Sequence, residues 1–285
     1  MNNCYLCGCQ DSAVRPGSVR DNQEIDVLEC EGCGLVYLSS LNHIENGHYE
    51  NSGMHDGDTP DISAWLKETA TDDERRYQFL KEKIVNNAVL DFGCGAAGFL
   101  DRAKTIATTV AGIELETVLQ TSFNERELSV YPALQNAIDI DERYSLITAF
   151  HVVEHLSDPV TILQNLSQLL AGGGEIIVEV PSSNDILLTL YSNDPFQNFT
   201  YWSQHLFLFN ATTIQMLIKK AGLKLNWTKH IQRYSLSNHL YWLAKGKPGG
   251  HKEWNFMDSD ELNRQYEQQL ASLGATDTIM VSISK

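Results

Sequence analysis

Past residue 60, short apolar runs alternate with amphipathic stretches. The window 61–85 has helical spacing, with Tyr77, Leu80 and Ile84 on one face and Asp72, Asp73 and Glu74 placed as a helix start. Residues 88–92 form a short apolar strand that runs into a glycine-rich turn, and a helix is predicted over 97–105. A second strand follows at 109–114, a helix at 117–126 and a weakly marked third strand at 129–131. The run 144–150 is a fourth strand. The helix after it begins past Asp158-Pro159 and is expected to stop at Gly172-Gly173-Gly174. A fifth strand spans 175–180, a helix 211–221 closes on Gly222, and two further strands are expected at 223–233 and 278–284. Strands alternating with helices predict an α/β fold with a mostly parallel sheet covered on both faces.

Three segments fall outside that alternation. Residues 1–40 read as a small separate unit, and 41–60, rich in Asn, Gly, His and Asp without periodicity, read as a linker. Together 41–86 form a linker and helical cap before a main domain over 87–285. The stretch from 235 to 274 is too long for a simple hairpin connection, so a lid-like insertion over the mouth of the site is expected.

Charge narrows the choice of partner. The 285 residues carry 21 Lys+Arg against 37 Asp+Glu, a net charge of -16. With no Lys/Arg run, neither nucleic acid nor an anionic membrane is an expected partner. The longest apolar stretches fall short of the roughly 20 residues of a membrane span. No secretory segment is visible, and a cytoplasmic location is expected. Oligomeric state is not legible. The one basic cluster, Lys245, Lys247 and Lys252, suits a contact to phosphate on a small substrate.

In a reducing compartment, six cysteines point to metal rather than disulfides. Cys4-x-x-Cys7 and Cys30-x-x-Cys33, separated by 22 residues, match the two knuckles of a zinc ribbon. Four thiolates leave no open position on the ion, so the expected role of Zn2+ is structural. Cys9 is spare.

The turn Asp91-Phe92-Gly93-Cys94-Gly95-Ala96-Ala97-Gly98 follows a strand and opens a helix, and Glu114 ends the next strand, where it can accept both hydroxyls of a ribose. Alone, this suits a dinucleotide-binding dehydrogenase equally well. The segment Phe150-His151-Val152-Val153-Glu154-His155-Leu156, with Asp158-Pro159 after it, separates the two. Taken with the turn and Glu114, it resembles the class I S-adenosylmethionine-dependent methyltransferases. That resemblance covers about 88–285 and implies a Rossmann-like seven-stranded sheet with its last strand antiparallel. It also implies S-adenosyl-L-methionine held by Asp91, Gly93, Cys94, Gly95, Gly98, Glu114 and Leu115, with Ala133 and Leu134 flanking the adenine and Phe150 and His151 lining the pocket.

A Glu-His pair followed by a distant histidine, behind a four-cysteine module, is similar to the zinc-containing deoxysugar C-methyltransferases, which are longer. On that basis Glu154, His155 and His205 are the candidate catalytic residues. Where that family has Tyr-x-Glu-His, this chain has Trp202-Ser203-Gln204-His205, which turns the expectation from carbon to oxygen as acceptor. The expected activity is O-methylation of a small phosphorylated or nucleotide-linked metabolite in polysaccharide or natural-product biosynthesis. Methylation of a keto-sugar carbon, methylation of rRNA or tRNA, and a non-catalytic cofactor-binding scaffold are the alternatives.

Overall fold

Around the cysteine pairs, β1 (Ser12–Val14), β2 (Val27–Cys30) and β3 (Val36–Leu38) form an antiparallel ribbon in the computed structural model, which describes residues 3–44, 49 and 60–285. Most of the linker expected over 41–60 lies outside the described residues. Helix α1 (Ile62–Ile84) is capped by Asp61, whose side chain accepts from the Ala64 N–H. The start of this helix therefore lies a full ten residues before Asp72. Asp72, Asp73 and Glu74 sit in its middle, where paired partners rather than the helix dipole keep them: Arg75 and Arg233 for Asp72, Thr69 and Arg76 for Asp73, Arg102 for Glu74.

The alternation then follows as β4 (Ala88–Phe92), α2 (Gly98–Ala103), β5 (Thr109–Ile113), α3 (Gln120–Glu125), β6 (Ser129–Tyr131), α4 (Leu134–Ile140) and β7 (Tyr144–Phe150). Next come α5 (Pro159–Gln168), β8 (Leu170–Pro181), α6 (Asp194–Thr200), β9 (Phe207–Leu208), α7 (Ala211–Lys220) and β10 (Lys224–Ile231). The insertion is α8 (Leu236–Lys245), α9 (Gly250–Glu253) and α10 (Asp260–Leu273), and β11 (Thr278–Ser284) ends the chain. Pro159 in the first turn of α5, with Asp158 accepting from the Thr161 N–H, starts that helix as the sequence suggests. Its end differs. The helix stops at Gln168, and the glycines 172–174 belong to β8 as an irregularity: opposite it the register moves from Tyr144–Leu170 to Leu146–Glu175. Gly173, at φ +78°, permits the bulge.

The main sheet runs β10-β11-β8-β7-β4-β5-β6. β4 pairs in parallel with both β5 and β7, while β11 slots between β8 and β10 antiparallel to each. The order reverses beside β4, the place where open α/β sheets form a crevice at their carboxyl ends.

A second sheet runs β1-β2-β3-β9. Its fourth strand is contributed from residue 207 onward, with Val36 opposite Leu208 and Tyr37 opposite Phe207. Leu35, Phe207 and Phe209 are fully enclosed in the core shared by the ribbon and the main sheet. Such side chains each stabilise by about 1.5–3 kcal/mol, so the first forty residues are packed onto the rest of the chain.

Candidate active site and cysteine cluster

Strand β4 ends at Asp91 and Phe92, and the chain turns at Gly93 (φ +67°) and Gly95 (φ +51°) into α2. The N–H groups of Gly93 and Cys94 both donate to the Ile113 carbonyl, at 2.8 and 3.1 Å, which fixes the turn to the end of β5. A Cβ on Gly93 would come within 2.5 Å of the Val152 Cγ2, so the loop after β7 packs directly on this turn. One on Gly98 would collide with Asp73, which marks how closely α1 crosses α2. Trp65, from α1, lies over Gly95. Asp91 is buried and accepts from the Thr148 hydroxyl at 2.6 Å, and burial pushes its carboxyl up to about 7. Burial likewise pushes up the Cys94 thiol, behind the turn.

Glu114 follows β5 and meets the turn face to face. Its Oε2 accepts from the Gly95 N–H at 2.8 Å and its Oε1 from the Glu116 N–H at 3.0 Å. Each oxygen retains lone-pair capacity for one more donor, so the carboxylate fits a vicinal diol. Leu115 follows it half-buried, and Ala133 and Leu134 open α4 just beyond the Tyr131 carbonyl that receives the Glu114 N–H.

At the end of β7, Phe150 stacks edge-on against Phe99 and lies 4.6 Å from the Arg76 guanidinium. His151 adopts φ +54°, a strained conformation for a non-glycine residue, anchored by its N–H to the Glu179 carbonyl at 2.8 Å. Its ring stands between two buried carboxylates: Nδ1 is 3.3 Å from Glu154 Oε1 and Nε2 is 3.3 Å from Glu179 Oε1. Glu179 also receives a fork from Arg75 (2.9 and 3.0 Å) and a second from Arg76 (2.7 and 3.1 Å). Burial alone would push the Glu179 carboxyl up, but Arg76, His151 and Arg75 hold it well below the usual range. Neither this pairing nor the cover by Trp65 emerged from the sequence. The available signal was Glu179 itself, a charge set between Val178 and Val180 in the buried half of β8.

Glu154 and His155 lie on a 3₁₀ turn, Val153–His155, and are buried. His155 Nδ1 is 2.7 Å from the Gln204 carbonyl, and its ring centroid is 5.1 Å from that of His205. His205 also meets Trp202 edge-on and borders Tyr37, Tyr201 and Leu208 on the ribbon side. Burial pushes the imidazole of His155 down and that of His205 down to about 3. The His151 side chain is 21% exposed, against 9% for His155.

The cysteines meet as a quartet. The Sγ atoms of Cys4, Cys7, Cys30 and Cys33 all lie within 4.8 Å of one another, with Cys4–Cys33 at 3.6 Å and Cys7–Cys30 at 3.5 Å. Cys9 stays apart, its thiol directed to the Asp11 carbonyl.

The sheet order, the glycine turn and the facing carboxylate define an S-adenosylmethionine-dependent methyltransferase. The profile of a family described as "Methyltransferase domain" matches residues 65–227, more than half of the chain, and the chain belongs to that family. Among its relatives is a ubiquinone biosynthesis O-methyltransferase of Hydrogenovibrio crunogenus, 23% identical over 185 residues that span 58% of this chain and 77% of the relative. A protein of the same name from Leptothrix cholodnii is 24% identical over 178 residues, 57% of this chain and 74% of its own length. The solved structure of a SAM-dependent methyltransferase from Archaeoglobus fulgidus superposes with a TM-score of 0.53 at 17% identity. It covers 78% of this chain and 99% of that one, a likeness of fold. Among the described residues no helix is long and apolar enough to cross a membrane.

Proposed function

We propose that the protein transfers a methyl group from S-adenosylmethionine to an oxygen of a small acceptor bound beside His151. The observation that carries this reading is the His151 imidazole held between the Glu154 and Glu179 carboxylates at the end of β7. In this reading Gly93, Gly95 and Glu114 hold the cofactor, which supplies an electrophilic methyl. The cluster of His151, Glu154 and Glu179 takes up the acceptor's hydroxyl proton, with both ring nitrogens held against the carboxylates and Arg233 Nη1 3.3 Å from Nε2. The O-methyltransferase names of the two relatives support oxygen over carbon. A phosphorylated or nucleotide-linked acceptor is supported by the lysines on the insertion, Lys245, Lys247 and Lys252. The test is release of S-adenosylhomocysteine across a panel of hydroxylated acceptors, with and without phosphate. His151→Gln should lower kcat by about 10²–10⁴-fold with the cofactor Kd unchanged; full activity in that variant would overturn His151 as the base.

The cysteine quartet, in the same reading, binds a structural zinc ion. A tetrahedron with Zn–S bonds of about 2.3 Å has edges of about 3.8 Å, close to the Sγ separations of 3.5 and 3.6 Å. Chelation should lower the melting temperature of the whole chain, because the ribbon shares a sheet and a core with β9. A chelated protein that melts unchanged would remove the zinc assignment.

A further inference from the structure

Behind the end of β7, three side chains from two distant segments face one another. Glu154 and His155 come from the 3₁₀ turn, and His205 comes from the loop between α6 and β9. One ligand atom from each lies within 4.8 Å of the other two. Glu154 has no exposed surface, and both of its carboxylate oxygens are without a hydrogen-bond partner among the described residues. A buried carboxylate left so costs several kcal/mol unless a positive charge meets it. The nearby arginines do not serve: Arg75 and Arg76 are committed to Glu179 and Arg233 to Asp72. His151 Nδ1 stands 3.3 Å from Oε1, and His155 Nε2 is 4.0 Å away.

Each imidazole keeps one nitrogen free to act as a ligand. His155 Nδ1 donates to the Gln204 carbonyl at 2.7 Å, and His205 Nδ1 to the Thr200 carbonyl at 3.3 Å. With the proton on Nδ1, each ring keeps its lone pair on Nε2. Metal-bound histidines are held in this way, the second nitrogen tied to a carbonyl or carboxylate. Trp202 meets both rings edge-on and walls the cluster with apolar surface.

From this geometry we propose that Glu154, His155 and His205 bind a second divalent transition-metal ion, separate from the four-cysteine site. Two imidazole nitrogens and one carboxylate oxygen favour Zn(II), Fe(II), Co(II) or Mn(II) over Ca(II) or Mg(II). Ligand bonds of about 2.0–2.2 Å draw the three atoms closer than they now stand, and the long Thr200–His205 contact leaves that ring room to turn. Three protein ligands keep at least one position open for water or another oxygen. The ion would neutralise Glu154 and hold it still, and with it the imidazole of His151 on the other side of the same oxygen.

Full-length protein titrated with Co(II), then with Zn(II), tests this. Two equivalents per chain are expected by elemental analysis, one with thiolate-to-cobalt charge transfer and one without. Glu154→Gln and His205→Gln should each lose the equivalent without charge transfer and retain the thiolate band. Cys7→Ser should do the reverse, so failure of the ribbon assignment and failure of this one read differently. Retention of both equivalents in Glu154→Gln overturns the proposal. Should the variants not fold, the unsubstituted protein decides: uptake of no metal beyond the thiolate-bound equivalent, with either ion at saturation, overturns it as well.

Discussion

The guanidinium of Arg233 grips the carboxylate of Asp72, with Nε 3.1 Å from Oδ2 and 3.2 Å from Oδ1, and so ties the end of β10 to the middle of α1. Both side chains are three-quarters or more shielded from solvent. The same helix carries Trp65 over the cofactor turn and Arg75 and Arg76 onto Glu179, so this clasp sets where the cover of the site lies.

Arg233→Met removes the fork and leaves Asp72 with Arg75 alone. A loss of roughly 1–3 kcal/mol is expected, the range for removing one partner of a half-buried, hydrogen-bonded charge. Urea denaturation measures it, and the cofactor Kd should rise in parallel as α1 loosens. An unaltered denaturation midpoint would mean the clasp contributes nothing to stability.

Gly93→Ala places a methyl within 2.5 Å of Val152 Cγ2 at a backbone position with φ +67°. The strain and the clash together should cost about 2–4 kcal/mol and displace the turn from Glu114. Adding Val152→Ala relieves only the clash, so the double variant should recover part of the stability. If the double variant is no better than the single one, the loss lies wholly in the backbone.

Asp185 supplies a pH dependence. It is buried, accepts from the Leu187 N–H, and burial with the nearby charge of Asp277 pushes its carboxyl up to about 8. An unfolded aspartate titrates near 3.9. Between these values the native state holds a proton that the unfolded chain has released. Stability is therefore full below about pH 4 as far as this group is concerned, and is lost as pH rises through 8. Asp185→Asn should raise stability at pH 8 by roughly 1–3 kcal/mol, and do little at pH 4. Thermal melts across that range check it; an equal effect at both ends would place the Asp185 carboxyl near its ordinary value.

Local signals were legible in the sequence where one short segment carries them. The cysteine pairs, the glycine turn and Glu114 each depend on spacing within a few dozen residues, and the order of strands follows from their alternation. Asp72 was misread as a helix start because acids gather at helix N-termini; its partner, 161 positions away, is what makes a mid-helix acid tolerable. Glu154 was readable as part of a motif, but its isolation from hydrogen-bond donors emerges only when His205 folds back beside it. The two-residue strand Phe207–Leu208 has no periodicity to detect, because its identity is conferred by the edge of β3.

That borrowed strand has a consequence for how the molecule can be taken apart. A shortened chain beginning after residue 40 would bare the backbone edge of Phe207–Leu208 and the apolar faces of Phe207 and Phe209, two and four residues from His205. The ribbon is thus no removable cassette: it works as a keystone, and trimming it would unseat the loop that carries His205.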